Sequence, residues 1–135
     1  MPGFTTHYLF GIDACRRLTS TSMHNMIRRD HSAFALGLQG PDLFFYYLPS
    51  HLMHRKNIGD LAHRKDTGQF FANLLQSRKL FAGKKHSLSI ADAYICGFMG
   101  HYTLDCTIHP YVYAFTGYNA QTPPSNTEYL SLIHI

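Results

Sequence analysis

Three residues with metal-ligand side chains stand four apart late in the chain: His101, Asp105 and His109. On a helix, positions i, i+4 and i+8 share one face, with about 6 Å of axial rise per step. Imidazole nitrogen and carboxylate oxygen are both zinc donors. The outer pair lies roughly 12 Å apart along the axis, too far to hold one ion between them. Two ions sharing Asp105 is the more natural geometry, a multinuclear centre rather than a single structural zinc. A helix whose histidines are satisfied by ordinary neighbours has the same spacing, so the ladder alone leaves both readings open.

The surrounding sequence indicates how the ladder is positioned. Ile90, Tyr94, Gly97, Phe98 and His101 share a helical face that continues to Asp105, which puts the ladder on a buried stripe. Ser89 followed by Asp92 reads as the N-terminal cap of this helix. Gly97 and Gly100 leave room one turn earlier for ions or a crossing helix. Pro110 disfavours the α conformation at His109, so the helix is expected to end there and His109 to fold back.

Upstream, Ile58, Leu61, Ala62, Phe70, Phe71, Leu74 and Leu75 form a stripe across residues 57–81, weakened by Gly68 and closed by Gly83-Lys84-Lys85. Residues 11–28 and 31–38 read as shorter helices. Gln39-Gly40-Pro41 is a turn that leads into the aromatic run Phe44-Phe45-Tyr46-Tyr47, with Pro41 suited to a first helical position. Asp42 stands at the mouth of that apolar cluster, and its plain reading is a helix cap. Strand signals are poor, with no sustained alternation and no β-branched runs. The expected fold class is all-α.

A chain of 135 residues that is 45% hydrophobic is sized for one domain with a real core. No run of eighteen apolar residues occurs, and Met1 to Gly11 lacks the basic and apolar regions of a secretory signal. Three cysteines without CxxC spacing fit reduced thiols in a cytoplasm better than a disulfide framework. Cys106, beside Asp105, is expected to be a buried apolar thiol. All twelve basic residues form six adjacent doublets within residues 1–85, where five acids leave a net +7. Residues 86–135 carry no Lys or Arg and three acids. Such a dispersed basic surface suits anionic substrates and also ordinary solvated helix faces, and it is too diffuse to favour nucleic acid. Residues 119–126 read as a loop. Leu130 to Ile135 reads as a translated sequencing-adapter end, so the expectation is a partial domain over residues 1–129 with an artificial tail over 130–135.

Five segments, taken together, resemble the bacterial zinc-dependent phospholipase C family. They are Thr6 to Gly11, Gln39 to Tyr46, Gly97 to Asp105, His109 to Tyr113 and Thr116 to Asn119. The resemblance implies a compact all-helical domain with up to three zinc ions in a cleft. Carried over residue by residue, it makes His101 and Asp105 ligands, with Asp105 bridging two ions. Asp42 and a histidine on the following helix complete one of these sites. His63 matches that position best, ahead of His51 and His54. His7 serves the second ion and His109 the third. His24, His31 and His86 match nothing and are read as surface residues.

The family's second His-x-x-x-Glu pair does not occur here, and the expectation is that it lies beyond Tyr129 of a longer chain. The implied activity is hydrolysis of a phosphodiester, phospholipid headgroup esters first, with Asp42 orienting or deprotonating the attacking water. A single-strand-specific zinc nuclease and a non-catalytic metal-binding helical domain are the alternatives. Phe44, Phe45, Tyr46 and Tyr102 would either line an apolar approach for acyl chains or pack in the core.

Overall fold

The helix that carries the ladder is the organising element. The computed structural model describes residues 3–46, 59, 62–63 and 66–116. The described elements are α1 (Phe4–Arg16), α2 (Thr21–Arg29), α3 (His31–Gln39), a 3-10 segment over Gly40–Tyr46, α4 (Thr67–Ser77), a second 3-10 segment over Arg78–Phe81, and α5 (Lys85–Thr116). No strand occurs among the described residues, and the fold is all-α. His51, His54, Ile58, Leu61, the expected loop at 119–126 and the tail at 130–135 lie outside the described residues.

Residues 11–28 are not one helix. α1 begins earlier, at Phe4, and the chain leaves it at Arg17. Ser20 then caps α2, its hydroxyl accepting the Met23 N–H at 3.4 Å. Asp30 joins α2 directly to α3. Gly40, at φ +52°, ends α3 and turns the chain into the 3-10 segment that carries Pro41 and Asp42. Gly68 falls in the first turn of α4, where it interrupts nothing. Phe70 and Phe71 of α4 pack against Phe98, with centroids 5.2 and 5.7 Å apart.

Two expectations about α5 are corrected. It starts at Lys85, not Ser89. The Ser89 hydroxyl is engaged with Asp30 across the helix interface and is not available as a cap, while Gly83, at φ +80°, supplies the turn that lets the helix begin sooner. The helix also continues through Pro110 to Thr116. Proline removes the N–H that would bond to the Cys106 carbonyl. One ring pair spaced i, i+4, His109–Tyr113 at 5.5 Å, straddles the proline, and a second, Tyr111–Phe115 at 4.5 Å, packs along the turn after it.

The core is where α3 crosses α5. Ile27, Phe34, Leu38 and Ala93 form its centre, with Ile95, Phe98 and Leu104 buried along α5. The crossing is close because glycines face each other. A Cβ on Gly37 would stand 2.9 Å from the Phe98 backbone nitrogen, and one on Gly97 would stand 2.9 Å from the Leu38 nitrogen. The room expected beside Gly97 is therefore filled by a crossing helix. This contact brings the end of α3, and the Asp42 segment after it, onto the ladder. No described helix is long and apolar enough to cross a membrane.

Candidate metal centre

Four parts of the chain meet at the ladder. His7 comes from α1, Asp42 from the 3-10 segment, His63 from helical residues between that segment and α4, and His101, Asp105 and His109 from α5. His7, Asp42, His101 and Asp105 are 0–5% exposed. The His63 and His109 side chains are 17% and 22% exposed and form the rim. All six residues singled out from the sequence are thus brought to one place.

The two oxygens of Asp105 divide the histidines. Its Oδ2 lies 3.3 Å from His101 Nε2 and 3.5 Å from His63 Nε2. Its Oδ1 lies 3.5 Å from His7 Nε2 and 3.6 Å from His109 Nε2. Asp42 faces the same groups, with Oδ1 3.1 Å from His63 Nε2 and 3.9 Å from His101 Nε2, and Oδ2 3.8 Å from His7 Nε2. Ligand atoms of Asp42, His63, His101 and Asp105 all lie within 4.8 Å of one another.

Whether these groups fit a cation can be judged from what they lack. Asp42 Oδ1, both Asp105 oxygens and the Nε2 atoms of His7, His63, His101 and His109 are buried without a hydrogen-bond partner. Such groups carry a desolvation penalty unless something positive lies between them. With zinc–ligand bonds of about 2.0–2.2 Å, adjacent donors around a tetrahedral ion are separated by roughly 3.3 Å. The nitrogen–oxygen separations of 3.1 to 3.9 Å bracket that value. The donor set is nitrogen and oxygen only, which suits zinc.

The histidines are also turned to offer lone pairs inward. His101 Nδ1 donates to the Leu38 carbonyl at 3.1 Å, and His63 Nδ1 to the Gly59 carbonyl at 2.6 Å. A carbonyl accepts only, so the proton sits on Nδ1 and Nε2 faces the carboxylates, the tautomer of a metal ligand with an outer hydrogen bond. These carbonyls were invisible in the sequence, because every residue carries one.

Electrostatics express the same crowding. Burial lowers His7 to about 4, helped by neighbouring His101 and opposed by Asp105 and Asp42. Burial pulls His63 down as well, yet the facing Asp105 and Asp42 carboxylates, with the Gly59 carbonyl, outweigh it and raise the group to about 10. Burial lowers His109 despite Asp105. Burial would raise Asp105, but His101, His63 and His109 hold its carboxyl far below the usual carboxylate range.

The remaining chemistry-bearing residues lie elsewhere. Cys106 is exposed and not a buried thiol, since one position beyond Asp105 on α5 points away from the cluster. His31 and His86 are exposed and His24 is half-buried. Phe44 and Tyr102 are 46% and 41% exposed, so neither is a core residue.

A family model described as zinc dependent phospholipase C matches residues 6–134. No curated protein and no solved structure matches the chain. The matched span contains His7, Asp42, His63, His101, Asp105 and His109, whose unsatisfied donor atoms converge as a zinc centre requires, and the chain belongs to the zinc-dependent phospholipase C family.

Proposed function

We propose that this chain carries the zinc centre of a phosphodiester hydrolase acting on phospholipid headgroups. The observation that supports the reading most is the convergence of four Nε2 atoms on two carboxylates, with no hydrogen bond between any of them, in a member of a zinc-dependent phospholipase family. Asp42, His63, His101 and Asp105 Oδ2 would hold one ion with four protein donors. Asp105 Oδ1, near His7 and His109, would be free for a second ion served by His7, with His109 available to a further one, for up to three in all.

A four-donor position is coordinatively full, whereas positions with fewer protein donors retain openings, as catalytic zinc sites do. Bound zinc lowers the pKa of water towards neutrality and neutralises phosphoryl oxygens. Asp42 would orient the attacking water and accept its proton, its Oδ2 being turned towards His7. His101 and His63, fixed through Nδ1, keep their Nε2 atoms in place without reorganisation during turnover. Leu43, Phe44 and Tyr102, all partly exposed, supply apolar surface for acyl chains. The three free thiols support a reducing, cytoplasmic setting.

Zinc analysis of the purified chain, followed by parallel assays on phosphatidylcholine and single-stranded DNA, tests the reading. Bound zinc with release of a phosphorylated headgroup is the expected result. Cleavage of DNA alone would reassign the substrate, and a folded chain with no zinc would remove the mechanism.

A further inference from the structure

The setting of His101 depends on a residue that contributes no side chain. Its Nδ1 is fixed by the Leu38 carbonyl at 3.1 Å, and its ring stacks on His7 with centroids 4.1 Å apart. Gly40 also lies against the ring. A Cβ built there would stand 2.8 Å from Nδ1, and closer still to Cγ and Cδ2, whereas ordinary contact begins at 3.4 Å. Gly40 separately adopts φ +52° and ψ −143°, a conformation essentially reserved for glycine. Backbone and space thus impose two distinct demands on one residue.

We propose that Gly40 is a positioning residue of the metal centre, its missing side chain forming the slot in which the His101 imidazole stands with Nε2 on Asp42 and Asp105. The proposal rests on the zinc reading of the cluster. The ring is rigid and tied at Nδ1 to Leu38, two residues before Gly40, so a Cβ must push it away from that anchor. Binding constellations tolerate displacements of only about 0.5 Å. The overlap at Gly40 exceeds this, since 2.8 Å must become at least 3.4 Å. Asp42, two residues further on, would move with the same segment.

The test compares Gly40→Ala with Gly83→Ala. Gly83 also has positive φ, at +80°, but a Cβ there meets nothing within 4 Å. Gly83→Ala therefore reports backbone strain alone. Zinc per chain and zinc affinity, by chelator competition, are measured at a temperature where helical circular dichroism is intact. Gly40→Ala is expected to lose at least one zinc or to bind at least about tenfold more weakly, the scale of damage to an outer partner of a metal ligand. Gly83→Ala is expected to melt lower with zinc binding unchanged.

Wild-type zinc content and affinity in folded Gly40→Ala would overturn the proposal. Should Gly40→Ala not fold, the cycle with His101→Ala decides. With the ring gone the methyl has room, so the melting penalty of Gly40→Ala shrinks and the double variant folds. An equal penalty in both backgrounds, or a double variant as unfolded as the single, assigns Gly40 to the backbone alone and ends the slot. Because this cycle reads folding only, a chain without zinc would sink the zinc reading while the slot was still tested.

Discussion

Buried carboxylates stand at both ends of α3, and they are treated in opposite ways. Asp30, at the N-terminal end, receives hydrogen bonds from the Ser89 hydroxyl and from Arg29 Nε at 3.2 Å, and Arg29 also donates to Ser89. Donors and acceptors there are matched within the chain. Asp42, just past the C-terminal end, faces imidazole Nε2 atoms and a second carboxylate, with no hydrogen bond to its Oδ1. Both clusters join α3 to α5 through acidic side chains, so burial and charge do not distinguish them. The supply of protons does. One cluster is complete as a polypeptide, and the other is complete only with cations.

Removing the shared ligand should separate the two ends most sharply. Asp105→Ala takes away both oxygens that partition the histidines. It is expected to lose at least one zinc per chain and to weaken what remains by more than about 100-fold, beyond the range for outer partners. Phosphodiester turnover should fall with it to background. Atomic absorption or plasma mass spectrometry reads the metal directly, and unchanged metal content would falsify the bridging role.

Stripping zinc from the unaltered chain is the next largest perturbation. A ligand at 100 times its dissociation constant stabilises the folded state by about 2.7 kcal/mol, so the metal-free chain should melt several degrees lower. Calorimetry with and without chelator measures this. Equal melting temperatures in the presence of measured bound zinc would mean that the Asp42 end was satisfied without cations.

How far this contrast could be read from sequence depends on the residue. Helix type and the placement of Phe98 on a buried stripe follow from period and hydrophobicity. Asp105 and His101 were legible because one helix carries both at i, i+4. Asp42, His63 and His7 required the family resemblance, since no local period links residues separated by whole helices. Asp30 gave no warning of its partners. Ser89 looked like a cap because sequence shows the local candidate, a following acid three residues on, and not the carboxylate 59 residues away that takes its hydroxyl. Pro110 misled for a similar reason: local sterics argue for a break, while the His109–Tyr113 ring pair spanning it is visible only in three dimensions.

Breaking the self-satisfied end should have a smaller and different effect. Ser89→Ala leaves Asp30 without one donor and Arg29 without one acceptor. Removing one partner of a buried hydrogen bond costs about 1–3 kcal/mol. Denaturant titration should show that loss with zinc content and affinity unchanged. Zinc lost in proportion to stability would mean that the two ends of α3 are coupled and the contrast is not local.

The last contrast is in pH, where the Asp42 end alone carries limbs of opposite sign. In the metal-free chain His7 is lowered from 6.5 to about 4, so the unfolded state binds the extra proton between those values and stability falls as pH drops below 6.5. His109, also lowered, adds to this limb. His63 is raised from 6.5 to about 10, so its contribution is fully present below 6.5 and is lost as pH rises towards 10. The metal-free chain should therefore be most stable near pH 6.5. Asp30, lowered from 3.8 chiefly by Ser89 against the opposing effect of burial, keeps its contribution throughout this range and loses it only below. Zinc must displace the His63 proton to bind Nε2, so loading the metal should flatten the alkaline limb and steepen the acid one, where protons compete for the ligands. Melting temperatures at pH 5, 6.5 and 9, with and without zinc, check the signs. A metal-free chain as stable at pH 9 as at 6.5 would show that His63 carries no proton between the two carboxylates, and that the cation deficit at this end of α3 is smaller than its geometry implies.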